Sequence, residues 1–231
     1  MSIIELNNVS FSYENEAVLK NANCKIEEGD YIGIIGGNGA GKSTLIKLIL
    51  GELKADGGNT VRNYKTVGYI PQNAGQISKD FPATVEEVVS MGLYKQIGFF
   101  KFLNKEHKKQ IDNVLNLVGM KEYKKRLIGK LSGGQQQRVM LAKMLISKPQ
   151  VIFLDEPQGG IDNKSEALLY SLLEKLNKEK NLTILMITHD ITGISQSVNR
   201  VFFLENNELK EISVEETCLH THTHLHHKEE N

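Results

Sequence analysis

Short, unbroken apolar runs recur along the chain, separated by stretches whose apolar residues fall at helical spacing. Tyr31 to Ile35, the run 151–156, the run 182–190 and Val201 to Leu204 have the length and continuity of buried strands. Thr44 to Leu50, then Ile111, Val114, Leu115 and Val118, then Val139 to Ile146, then Leu168, Leu169, Leu172, Leu173 and Leu176 predict helices with one apolar face. Strands alternating with helices imply a mainly parallel sheet, with ligands beyond the strand carboxyl ends. The N-terminal stretch differs. Residues 3–13 roughly alternate apolar and polar, which predicts a strand of an antiparallel sheet. A second strand is expected over Asn23 to Glu27, a turn-rich link over Gly51 to Asn59, and a strand over 66–72 cut off by Pro71. Thr84 caps Val85 to Val89, with Glu87 placed as in a capping box. Residues 83–130 read as a helical segment inserted into an otherwise α/β chain.

The length of 231 residues suits one large domain or two small lobes, and 40% apolar residues can build a core. A formal net charge of zero gives no reason to expect a nucleic-acid partner. Cys24 and Cys218 are far apart, which argues against a disulfide framework and for a reducing compartment. The N-terminus lacks the basic-then-apolar pattern of a signal peptide. No run approaches the ~18 apolar residues of a membrane span, so work at a membrane would need another chain for the spanning part. Charge is uneven: residues 95–130 hold ten Lys/Arg against three Asp/Glu. Those lysines read as solvated helix faces, with contact to acidic lipid headgroups as the alternative.

Four motifs carry chemistry. Gly36, Gly41, Lys42 and Ser43 satisfy the spacing G-x-x-x-x-G-K-[ST], directly after one predicted strand and opening a predicted helix. A polyphosphate is wrapped by backbone N–H groups only where the loop has little side-chain bulk, and a helix N-terminus adds partial positive charge. Lys42 would reach the β- and γ-phosphates and the Ser43 hydroxyl would ligate Mg²⁺. The plain alternative is a glycine-rich turn. The motif alone means nucleotide binding and does not separate a kinase from a GTPase or a transport ATPase. Second, Leu131-Ser132-Gly133-Gly134-Gln135 precedes an apolar helix. Ser132 would cap it, and two glycines would let N–H groups approach a phosphate. A merely capped helix start leaves those glycines unexplained. Third, the run Val-Ile-Phe-Leu ends in Asp155 and Glu156: the first suits Mg²⁺, the second polarisation of an attacking water. Fourth, a buried strand ends at His189, a neutral-pH donor suited to a γ-phosphate. Two weaker candidates are Tyr13, either edge packing or a plate for an adenine ring, and Gln72, either a loop amide or a ligand to a metal or water. At the C-terminus His220, His222, His224 and His226 fall at every second position, with His227 beside them. Such a tract suits zinc, copper or nickel, and its alternative reading is a purification tag.

The order of phosphate loop, Gln72, Leu-Ser-Gly-Gly-Gln, Val-Ile-Phe-Leu-Asp-Glu, Asp162 and His189 resembles the ATP-binding subunit of an ABC transporter over roughly residues 2–205. The signature at 131–135 is its most specific part. The resemblance implies an α/β fold: a mainly parallel phosphate-loop ATPase core, an antiparallel β subdomain and an inserted α-helical subdomain at about 83–145. Residues 1–217 would form the ATP-binding domain and 218–231 a His-rich tail. It further implies two such subunits stacked head to tail around two ATP molecules. Tyr13 would face the adenine, and Gly36, Asn38, Gly39, Gly41, Lys42, Ser43 and Thr44 the phosphates. Ser43, Gln72 and Asp155 would serve Mg²⁺, Glu156 the water, and His189 the γ-phosphate. Ser132, Gly134 and Gln135 would reach the partner subunit's nucleotide, with Asp162 at the seam. Separate permease chains, an extracellular metal-binding protein and a peripheral position on the cytoplasmic face of the cell membrane follow from the same resemblance. One departure is visible: Gln158 stands after Pro157 where the family commonly has a small hydroxyl residue. The stretch 80–89 and the run 135–138 resemble subunits of zinc and manganese importers, and a tail that binds Zn²⁺ agrees. The alternatives are a siderophore or haem importer subunit, a soluble non-transport ABC ATPase, and a metal-buffering protein. A soluble ABC protein fits poorly, because only one nucleotide module is present and 90 residues separate Lys42 from Ser132 (132 − 42).

Overall fold

The computed structural model describes residues 1–97, 103–188 and 197–217. In chain order the elements are β1 (Ser2–Tyr13), β2 (Glu16–Glu27), β3 (Tyr31–Ile35), α1 (Lys42–Leu50), β4 (Gly57–Arg62), β5 (Val67–Ile70), α2 (Val85–Ser90), α3 (Tyr94–Ile97), α4 (Lys105–Leu117), α5 (Gly133–Leu145), β6 (Val151–Asp155), α6 (Asn163–Lys180), β7 (Thr183–Ile187), β8 (Arg200–Glu205) and β9 (Glu208–Ile212). They form two compact units, one of Met1–Tyr64 with the chain from Glu174 onward, the other Lys65–Leu173. The α/β architecture, with parallel strands, antiparallel strands and helices, is the one the sequence predicts.

In the first unit β2, β1 and β4 make an antiparallel sheet in that order, with Leu6 opposite Cys24 and Ile4 opposite Arg62. β3 lies between β7 and β8, parallel to both, and β8 turns back into β9. Every residue of β3 and β7 is buried, the pattern of parallel strands covered on both faces. Arg62 of β4 donates to the Ile49 and Leu48 carbonyls at 2.5 and 2.6 Å, and Gly51 with φ 80° ends α1. A cation is favoured at that negative helix end.

Three details differ from the sequence reading. β2 begins at Glu16, not Asn23, because register shifts interrupt its pairing with β1 and break the period of two. β4 starts inside the stretch expected to be a link. Gly57, Gly58 and Asn59 have little strand preference, and pairing with β1 overrides it. β9 is absent from the reading because its residues, Glu-Leu-Lys-Glu-Ile, are those of a charged edge strand. Asn206 and Asn207, with φ 51° and 68°, form its two-residue hairpin turn.

The second unit pairs β5 with β6 in parallel, Ile70 beside Leu154, and gathers its helices around Val85, Val89, Ile111, Leu115, Val139 and Ala142. The capping box forms as expected: Thr84 N donates to Glu87 Oε2 at 2.7 Å and Glu87 N to Thr84 Oγ1 at 3.3 Å. Asn104 caps α4 in the same way with His107 in the glutamate's place. Leu169 and Leu173 of α6 are buried, while Leu168 faces outward. Part of the basic excess is paired rather than solvated: Lys124, 20% exposed, bonds Asp112 and Glu86.

Arg200 ties the first unit's strand ends together. Its Nη1 donates to Asp30 Oδ2 at 2.6 Å and to the Lys25 carbonyl at 2.7 Å, while Nε and Nη2 hold both oxygens of Glu211 at 2.7 Å. The guanidinium's hydrogen bonds hold the Glu211 carboxyl below the usual carboxylate range. A lowered folded-state pKa gives stability that is present above the ordinary value of about 4.3 and is lost as pH falls through the folded value. Arg200→Leu is therefore expected to cost about 2 kcal/mol at pH 7, typical of hydrogen bonds to charged groups. The gap from the unsubstituted protein should narrow below about pH 4. Urea midpoints at pH 7 and pH 3.5 check both.

Candidate nucleotide-binding site

The first unit carries the phosphate loop between β3 and α1. Gly36, Gly39 and Gly41 have φ of 151°, 78° and 100°. At Gly36 a Cβ would lie 2.2 Å from the Leu204 carbonyl oxygen, and at Gly41 2.5 Å from a Val18 methyl, so the loop's two ends are wedged against neighbours. At Gly37 and Gly39 a Cβ would meet nothing within 4 Å. Gly37, Asn38 and Gly39 are all exposed, so the middle of the loop stands open to solvent. Lys42 is buried, its Nζ donating to the Gly36 and Gly37 carbonyls at 2.9 Å each. Ser43 is exposed and Thr44 half-buried in the first turn of α1. Tyr13, 46% exposed, makes a T-shaped contact with Phe11, the ring centroids 4.8 Å apart and the planes at 89°.

The second unit carries Gln72, Asp155, Glu156, Ser132, Gly134, Gln135 and Asp162. Asp155 is buried at the end of β6. Glu156 follows with φ 46°, a left-handed conformation costly for a residue with a Cβ. Gln72, directly after Pro71, donates from Nε2 to Glu156 Oε2 at 2.8 Å. Ser132 caps α5 in a capping box with Gln135: Gln135 N donates to Ser132 Oγ at 3.4 Å and Ser132 N to Gln135 Oε1 at 3.0 Å. Asp162 accepts at the start of α6 from Ser165 N at 3.0 Å and Ser165 Oγ at 2.8 Å. The Ser165 hydroxyl, then its N–H, hold the Asp162 carboxyl below the usual range.

Two contributors were not legible as site residues. Gln136 reads as one of three glutamines, yet it is buried. Its Oε1 accepts from Ile77 N at 3.0 Å and its Nε2 donates to the carbonyls of Ile128 and Leu131 at 3.1 and 3.4 Å. It thereby sews the turn after Gln72 and the approach to Ser132 onto α5. Ser165 carries no motif signal. His189, Cys218 and the tail histidines His220, His222, His224, His226 and His227 lie outside the described residues. Among the described residues no group of three or more His, Cys, Asp or Glu could hold a metal ion, and no helix is long and apolar enough to cross a membrane.

The model of the ABC transporter family matches residues 19–159. The chain belongs to the ABC transporter family. As an ABC ATPase it is 43% identical over 208 residues to the zinc uptake system ATP-binding protein ZurA of Listeria innocua, covering 86% of this chain and 81% of that one. The manganese transport system ATP-binding protein MntB of Halalkalibacterium halodurans is 41% identical, over 90% of this chain and 84% of its own. Among solved structures, a metal-chelate type ABC transporter in an inward-facing conformation superposes with a TM-score of 0.85 at 26% identity, covering 94% of this chain and 85% of that one. A dimeric ATP-binding cassette bound to ADP and phosphate superposes with a TM-score of 0.76 at 27% identity, covering 91% and 98%. The match includes the phosphate loop, the signature and both carboxylates of this ABC ATPase.

Proposed function

We propose that this ABC ATPase is the ATP-hydrolysing subunit of an importer of divalent metal ions, zinc or manganese. The observation that carries the reading is the complete set of phosphate loop, signature and paired carboxylates in a chain 43% identical to a zinc uptake subunit. Identities of 41–43% to subunits named for zinc uptake and manganese transport support a free divalent ion as the cargo. Residues 1–217 form the ATP-binding domain, with the helical subdomain at about 83–145, and 218–231 the tail. The subunit works as a homodimer on separate permease chains at the cytoplasmic face of the cell membrane, with an extracellular metal-binding protein delivering the ion.

In this reading the N–H groups of residues 36–44 and the Lys42 ammonium bind the phosphates, and Tyr13 stacks on the adenine. Ser43, Gln72 and Asp155 offer a hydroxyl, an amide oxygen and a carboxylate, an all-oxygen set that suits Mg²⁺. Mg²⁺ bound there would neutralise charge developing on the phosphates. Glu156 takes the proton of the attacking water. Gln72, already bonded to that carboxylate, orients it. His189 donates to the γ-phosphate. Ser132, Gly134 and Gln135 of one copy complete the site of the other, and Asp162 lies at the seam between copies.

Glu156→Gln keeps shape and loses the base. ATP should still bind, hydrolysis should fall by about 10²-fold or more, and ATP should trap a dimer seen by size-exclusion chromatography. Turnover at the unsubstituted rate would move the base to another residue, with His189 first in line.

Ser132→Arg should leave nucleotide binding to the chain's own Lys42 intact and abolish dimerisation and hydrolysis. Mixed with Lys42→Ala chains, it should restore at most one working site per dimer. Full activity from a strict monomer would exclude the shared site.

The alternating histidines and Cys218 offer more donors than the four a zinc ion takes. The tail should bind Zn²⁺, more weakly as pH drops below about 6.5, because neutral imidazole is the ligand. A cut must spare β9 and the buried Thr217, so the chain is ended after Thr217 and not within the hairpin. That cut should keep basal hydrolysis and remove zinc binding by calorimetry. Equal zinc binding by both forms would dispose of the tail site. Loss of binding with unchanged zinc sensitivity of the assembled transporter would leave a passive chelator or a tag.

A further inference from the structure

Gly134 occupies the first turn of α5, where glycine weakens a helix, and its φ lies outside the left-handed region. The backbone conformation therefore does not ask for glycine. A neighbour does. A Cβ at 134 would lie 2.4 Å from both Cβ and Oγ of Ser165, while the next atom, Ser165 Cα, is 3.8 Å away. Ser165 is not free to step aside: its hydroxyl and its N–H both bond Asp162, whose carbonyl accepts from Glu166 N at 2.9 Å. Gly133 repeats the closeness more loosely, with a Cβ placed 3.0 Å from the Gly160 carbonyl oxygen.

We propose that Ser165 is a positioning residue: one side chain touches both the signature at Gly134 and the seam residue Asp162, and so sets the distance between them. On this account Gly134 is glycine because of Ser165, and the approach of a phosphate to its N–H does not by itself require it. The two explanations separate cleanly. If a phosphate needs the room, any side chain at 134 fails whatever stands at 165. If Ser165 needs the room, removing its Cβ makes alanine at 134 acceptable, since the nearest remaining contact is the ordinary 3.8 Å to Cα. Removing only the hydroxyl does not, because the Cβ at 2.4 Å stays. The proposal rests on the reading that Ser132 to Gln135 serve the second copy's nucleotide.

The test uses the full chain with Gly134→Ala, Ser165→Gly, Ser165→Ala, Ser165→Thr and the doubles Gly134→Ala/Ser165→Gly and Gly134→Ala/Ser165→Ala. Hydrolysis at saturating ATP, binding of a fluorescent ATP analogue and melting temperature are read for each. Gly134→Ala should bind the analogue normally through Lys42 and lose hydrolysis by about tenfold or more, the scale of one lost transition-state contact. Adding Ser165→Gly should return the rate to within about threefold of Ser165→Gly alone, a coupling that a double-mutant cycle reads directly. Adding Ser165→Ala should not. If Gly134→Ala does not fold, the Ser165 single variants decide: Ser165→Ala should lower kcat with KM for ATP unchanged, and Ser165→Thr, which keeps the hydroxyl, should retain most of it. No rescue by Ser165→Gly, or Ser165→Ala at the unsubstituted rate, overturns the proposal. An active Ser132→Arg chain overturns the shared-nucleotide reading instead, so the two failures are told apart.

Discussion

Main chain passing closer to its neighbours than any side chain allows is the constraint on which both units depend. In the first unit it fixes the phosphate loop, because Gly36 abuts the Leu204 carbonyl of β8 and Gly41 abuts Val18 of β2. The loop is thus held at both ends by strands, and only its middle, Gly37 to Gly39, stands open. In the second unit the same closeness packs the helices: Gly92 would place a Cβ 2.0 Å from the Lys143 carbonyl oxygen, and Gly129 2.5 Å from that of Ser78. Interiors packed at this density transmit small shifts rather than absorb them.

Legibility followed the physics of each segment. β3, β6 and β7 are covered on both faces, so their apolar runs were unambiguous. Thr84 with Glu87, and Ser132 at its helix start, were readable because a cap is a local bargain between side chain and backbone. β2, β4 and β9 were read late, short or not at all, since edge strands follow their partners rather than their own composition. Among candidate site residues, Gln72 was weak alone and was raised by the family resemblance, while the phosphate loop, Asp155 and Glu156 announced themselves by type and position. Gln136 and Ser165 did not, because their importance lies wholly in what folding sets beside them.

Glu156, the proposed base, shows how a carboxylate is held at some expense. Its left-handed backbone, about 1–2 kcal/mol less favourable than the right-handed one, ends a fully buried strand. The turn closes with Gly159 N donating to the Glu156 carbonyl at 3.0 Å, and Gln72 takes one carboxylate oxygen. Orientation is therefore set before any reactant arrives, which is where preorganised sites gain over flexible ones.

The contact between Gly134 and Ser165 also bears on how such a chain can change over generations. Helix preference pulls position 134 away from glycine, and on the proposed account the neighbour resists. A side chain gained at 134 is tolerable in a lineage that has already lost the one at 165, and harmful in any other. On that account the two positions, thirty-one apart in sequence (165 − 134), can change in one order only.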